Sequence, residues 1–177
     1  MKKGFTLIET FVSLLIFTIV AAGVFLLMTS GTKTWYSSDA QIELQDELRL
    51  AMSQIVNDLK LSSPPKLYTD ATLLQPFPND GNPYGSIAFF IDEGVDVSGV
   101  IIWSLQPISY TLSGNQILRS DGTNTTVVAN KITGMNFTRP RPASFTNVVQ
   151  IGLSAQKTTQ QGQTLNASLI SSVSVRN

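Results

Sequence analysis

The chain contains no cysteine and no histidine. The first absence excludes disulfide staples, thiolate metal sites, a cysteine nucleophile and a lipidated N-terminal cysteine. The second excludes histidine-based triads and histidine metal centres. An enzyme built from this chain would have to work with carboxylates or lysines, without the usual proton shuttle. Charge is also scarce, at 14% of residues, and it is balanced at 12 basic and 12 acidic side chains. No basic face stands out for a polyanion, so no nucleic acid partner is expected. Apolar residues, in contrast, make up 42% of the 177. That is enough for one core of ordinary size plus an extra element, and it argues against wholesale disorder.

The apolar content is concentrated at the start. "FVSLLIFTIVAAGVFLLM" runs from Phe11 to Met28, long enough as a helix to cross a hydrocarbon layer of ~30 Å. Lys2 and Lys3 precede it, which keeps the N-terminus cytoplasmic and puts the bulk of the chain outside. Three readings compete. A secretory signal peptide would be cut near Val20, Ala21 and Ala22, but the apolar run continues past that point. A plain membrane anchor explains the length and leaves Glu9 unexplained. A processed anchor, cut between Gly4 and Phe5, would leave a free amine on Phe5 one helical turn from Glu9. A carboxylate in lipid calls for a partner. The Phe5 amine of a neighbouring subunit would supply one and would fix axial register, because a misaligned pair leaves two charges unpaired.

"KKGFTLIE" resembles the leader of type IV pilins and type II secretion pseudopilins, with Lys2, Lys3, Gly4, Phe5, Thr6, Leu7, Ile8 and Glu9 in the matching register. The resemblance implies a prepilin peptidase and N-methyltransferase that cuts after Gly4 and methylates Phe5. It also implies a role for Glu9 in methylation and subunit packing.

The helix is expected to continue beyond the membrane. Leu44, Leu48, Ala51, Met52, Ile55 and Leu59 recur at three- and four-residue steps, forming one apolar stripe. Asp39, Glu43, Asp46, Glu47, Arg49, Asn57 and Lys60 fill the other faces, and Pro64 and Pro65 stop the helix. A rod from Phe5 to Leu61 would be about 85 Å long, with Gly31 as its soft point. The stripe is too short for a coiled-coil stalk of several heptads, so it should pack on the domain that follows.

That domain reads as strands. After an irregular stretch from Pro64 to Tyr84 come "SIAFFI", "GVIIWSL", a hairpin "PISYTLSGNQILRSD" turning at Gly114-Asn115, "TTVVA", "ITGMNFTRP", "NVVQIGLSAQ" and "LNASLISSVSVRN". One long helix followed by short alternating strands predicts an α+β fold with an antiparallel sheet laid on the exposed half of the helix. The expected divisions are a leader at 1–4, a transmembrane segment at 5–28, an amphipathic continuation at 29–61 and a β domain at 62–177. The strand half is similar to the J-type minor pseudopilins and the related W-type minor pilins. Tyr110, Leu118, Arg119, Asn130, Ile132, Met135, Phe137, Arg176 and Asn177 carry that likeness.

The resemblance implies a pilin-like fold and a non-catalytic subunit of the type II secretion pseudopilus, sited at its tip and needed to initiate assembly. The implied partners are I- and K-type minor pseudopilins, the major pseudopilin and an inner-membrane assembly platform. The alternative is a minor pilin of a type IV pilus or competence system, active in pilus assembly, adhesion or DNA uptake. The implied location is the inner (cytoplasmic) membrane, single-pass, with the domain in the periplasm or extracytoplasmic space. No cofactor is expected. Asp92, Glu93 and Asp96 in "IDEGVDVSG", and Asp80 with Asn82, are weak calcium candidates whose simpler reading is turn chemistry. Paired carboxylates for glycoside hydrolysis are not identifiable. The sequons at Asn124 and Asn166 read as chance. Arg139 and Arg141 form a small basic loop. Trp35 and Tyr36 suit a membrane interface, and Trp103 a strand core.

Overall fold

The computed structural model describes residues 6–140, 147–159 and 161–176. Its first element is one helix, α1 (Leu7–Lys60), of 54 residues, about 80 Å long. Apolar helix formers and the lack of proline carry it through the first half. The stripe of Leu44, Leu48, Ala51, Met52, Ile55 and Leu59, joined by Ala40, is buried in the second half. The helix continues through Gly31 without interruption, where the sequence predicted a soft point. Around that glycine, hydroxyl groups bond back onto the preceding turn. Thr29 donates to the Leu26 carbonyl, Thr32 to Met28, Thr34 to Ser30 and Ser37 to Thr34. The Leu61 N–H on the Asp58 carbonyl and the Ser62 N–H on the Leu59 carbonyl close the helix, and a short 3₁₀ turn at Pro64–Lys66 redirects the chain.

Ten strands follow. β1 (Leu67–Tyr68), β2 (Ser86–Phe89), β5 (Ile108–Ser113), β6 (Gln116–Ser120) and β7 (Thr125–Asn130) form an antiparallel sheet in the order β1-β2-β5-β6-β7. β8 (Ile132–Thr138), β9 (Val148–Thr158) and β10 (Thr164–Ser174) form a second, in the order β10-β9-β8. β3 (Asp92–Val95) and β4 (Ile101–Trp103) make a separate ribbon. Among the described residues the single sheet expected from sequence is thus divided into three. The β5–β6 hairpin turns at Gly114, whose φ of 58° is open to glycine at little cost. Between β7 and β8 a single residue, Lys131, turns the corner with φ 62°, a conformation that costs a side-chain-bearing residue about 1–2 kcal/mol.

The core lies between the second half of α1 and the sheets. Leu44, Leu48, Ile55 and Leu59 meet Ile87, Phe89, Tyr110, Ile117, Phe137 and Ile151 in one buried cluster. Phe89 and Tyr110 stack with ring centroids 6.3 Å apart. Val173 and Val175 join from the end of the chain. β1 and β3 were not foreseen. β1 is two residues long, and β3 falls in an acidic stretch that reads as a turn.

Candidate assembly site

The helix begins with a reciprocal cap. Thr6 is extended (φ −80°, ψ 150°). Its hydroxyl accepts the Glu9 N–H at 3.4 Å, while the Thr6 N–H and hydroxyl both donate to Glu9 Oε2 at 3.2 Å. The arrangement satisfies donors that a helix start leaves open. Glu9 therefore has a partner within its own chain, in addition to any supplied by a neighbour. Beyond the cap, every residue from Leu7 to Met28 is exposed. Leu7, Phe11, Leu15, Phe25 and Leu27 each project from the bare rod. Such a surface is unfavourable in water, where burying apolar area is the main drive to fold, and suits a helix long and apolar enough to cross a membrane.

Residues 1–25 match a family model described as "Prokaryotic N-terminal methylation motif". This motif and the long apolar helix point to the broad type IV pilin-like superfamily. No curated protein matches the chain. The chain is a single-pass membrane protein with an extracytoplasmic β domain. Its motif implies processing by a peptidase and methyltransferase. Of the residues that carry the leader resemblance, Thr6 and Glu9 meet in the cap. Lys2, Lys3, Gly4 and Phe5 lie outside the described residues, as do Arg141 and Asn177.

The seam between rod and domain is held by acids on the flanks of α1. Asp58 Oδ2 accepts the Tyr110 hydroxyl and the Arg119 Nε–H, both at 2.7 Å. Tyr110 is fully buried. Burial first, and then the Asp58 carboxylate, pushes its phenol well above the ordinary tyrosine range. Nearer the membrane, Glu43 accepts from the ammonium groups of both Lys131 and Lys157. The ion pair ties down the left-handed corner at Lys131. One turn on, Glu47 Oε2 accepts the Asn130 N–H at 3.0 Å. The helical period puts Glu43 and Glu47 on the polar faces, while no motif marks Asp58. The available signal was position, since Asp58 falls between Ile55 and Leu59 of the stripe, where a charge needs a partner. At the far end Arg176 pairs with Asp92, and its N–H donates to the Ser62 carbonyl at 2.8 Å.

The described residues of the strand-half resemblance make contacts within the chain. Tyr110 and Arg119 grip the helix, while Ile132, Met135 and Phe137 fill the core. Leu118 pairs across to Thr111 in the sheet.

The acidic candidates do not converge. Asp92 begins β3 and pairs with Arg176, Glu93 is exposed in the same strand, and Asp96 turns the ribbon by accepting the Ser98 and Val100 N–H groups. Asp80 accepts from the Tyr84 hydroxyl at 2.7 Å and from Asn82, and those bonds, Tyr84 foremost, hold its carboxyl below the usual range. Among the described residues no group of three or more acidic side chains is placed to hold a metal ion. Arg139 is buried and donates to the Phe77 carbonyl at 3.0 Å, so its role is internal. Trp103 is partly buried, with the Lys66 ammonium 5.7 Å from its ring centroid. Trp35 and Tyr36 are exposed, a short way past the apolar run.

Proposed function

We propose that the chain is a minor pseudopilin, a structural subunit of the type II secretion pseudopilus that sits in its tip complex and helps initiate assembly. Cleavage after Gly4 and methylation of Phe5 produce the mature subunit. Its helix then packs among those of I- and K-type minor pseudopilins and the major pseudopilin, on an inner-membrane platform. The observation that carries this reading is an apolar rod, bare on every side from Leu7 to Met28, with one acid at its start. The J-type assignment draws support from Tyr110 and Arg119, two residues of that likeness, meeting on one helix carboxylate.

Mass spectrometry of the mature protein from its native membrane should find N-methyl-Phe5 as the first residue. An intact Met1, or a cut near Ala22, would overturn the reading. The role of Glu9 separates by substitution. A glutamine keeps the reciprocal cap but removes the charge. If the carboxylate pairs with a neighbour's amine, Glu9→Gln and Glu9→Leu should both insert and be cut normally yet fail to enter filaments. If Glu9 serves only as a cap, Glu9→Gln should assemble like the parent.

A further inference from the structure

The sheets in this domain differ in how their edges end. An exposed strand edge is a template for another chain, and proteins usually blunt it with charge, proline, bulges or a covering segment. Most edges here are blunted in those ways. β1 has two residues and is covered by the return of the chain, where the Phe77 N–H donates to the Leu67 carbonyl and the Thr69 N–H to the Gln75 carbonyl. β8 exchanges bonds with Tyr84 through Phe137 and is bulged between Ile132 and Gly134. β7 is short, its pairing with β6 is bulged, and its last N–H is taken by Glu47.

Among the described residues β10 has none of these devices. It runs 11 residues in unbroken register with β9, with no charged residue and no proline. Its hydrogen-bonding phase can be read from either end. The Thr159 N–H donates to the Gln163 carbonyl, and the Val175 N–H to the Asn147 carbonyl. Because bonded pairs alternate in an antiparallel ladder, the odd-numbered residues of β10 bond to β9. The main-chain groups of Thr164, Asn166, Ser168, Ile170, Ser172 and Ser174 therefore point to the free edge. Only past the strand, at Arg176, does the Ser62 carbonyl close it. Beside this edge runs a groove whose other wall is the flank of α1, with Gln41, Gln45 and Arg49 at four-residue steps. All three side chains are exposed.

We propose that β10 is an acceptor edge for an extended strand of a different polypeptide, with an acidic residue where that strand passes Arg49. The main-chain groups require a strand, and Arg49 has no ion-pair partner among the described residues and favours a carboxylate. A second copy is a poor occupant. Antiparallel pairing of two β10 edges places a twofold axis along the sheet normal. α1 lies on the sheet face, so that axis would reverse one of two helices anchored in the same membrane. The proposal rests on the extracytoplasmic placement of the domain and does not require cleavage at Phe5.

Residue-resolved amide exchange on the full chain in detergent micelles tests it. The probes are a synthetic peptide with the sequence of Thr164–Ser174 and the same peptide carrying Leu169→Glu, whose side chain would face α1. In the chain alone, amides of Ser168, Ile170 and Ser172 should exchange at least about tenfold faster than those of Ala167, Leu169 and Ser171. Saturating peptide should slow the first set about tenfold and leave the second unchanged. The glutamate peptide should bind more tightly, and Arg49→Ala should erase that preference. Ser168→Pro removes an outward N–H and spares the β9 ladder, so it should abolish binding. Ser172→Pro repeats the test if Ser168→Pro does not fold. Equal exchange in both sets, or binding that survives the proline variants, would overturn the edge. Protection of the outward set that rises with the chain's own concentration would overturn the occupant in favour of a second copy. The N-terminal mass is measured independently, so either conclusion can fail alone.

Discussion

The two halves of α1 are built from similar apolar residues and meet opposite fates. In the first half, leucine, isoleucine and phenylalanine occupy every face, and nothing among the described residues covers them: Leu15 is 62% exposed. In the second half, the apolar residues are confined to one stripe and vanish under the sheets: Ile55 is 0% exposed. The distribution of apolar residues around the helix, more than their number, determines which surroundings each half is fit for. All-round apolarity suits lipid and neighbouring helices, whereas a stripe suits a domain of its own.

The largest test of that contrast is to truncate one side chain in each half. Ile55→Ala should destabilise the domain by about 2–5 kcal/mol, measured by urea unfolding in micelles through near-ultraviolet circular dichroism. Leu15→Ala should leave the same transition within about 0.5 kcal/mol. Equal effects would mean that the halves are not independent. Next in size is the polar grip on the buried side. Asp58→Ala orphans the Tyr110 hydroxyl and the Arg119 guanidinium and should cost about 1–3 kcal/mol. The same grip makes stability depend on alkali. The fold raises the Tyr110 phenol above its ordinary value of 10.0, so the unfolded chain loses that proton first. The stabilisation is complete below pH about 10 and falls as pH rises beyond it. Tyr110→Phe should flatten that decline in a pH series of unfolding curves. The smallest effect belongs to the more exposed clamp. Glu43→Gln leaves Lys131 and Lys157 without their shared carboxylate and should cost no more than about 1 kcal/mol at low salt, and less at high salt.

The stripe residues, the proline stop and the strands from "SIAFFI" onward were legible because period and turn chemistry are local signals. The six predicted stripe residues are all buried, and the "SGNQ" hairpin turns where glycine and asparagine place it. What was not legible depends on pairing across long separations. The division into separate sheets follows from which strand edges meet, and neither β1 nor β3 has a periodic pattern of its own. Asp58 escaped notice because its partners, Tyr110 and Arg119, lie 52 and 61 residues away. At the leader, residue types identified the motif. That Glu9 also closes its own helix start follows from the Thr6 backbone angles, which the letters do not state.

Between the two halves, from Thr29 to Asp39, α1 buries no residue against the described part of the domain, and Trp35 and Tyr36 stand exposed on it. Among the described residues no second segment runs beside it, so tension between the anchored end and the outer domain passes along this stretch. In its hydroxyl-rich turns the carbonyls of Leu26, Met28, Ser30 and Thr34 are already shared between main chain and side chain. Under axial load this stretch is expected to lengthen before either the rod in lipid or the packed seam yields, so that it works as the tether's spring.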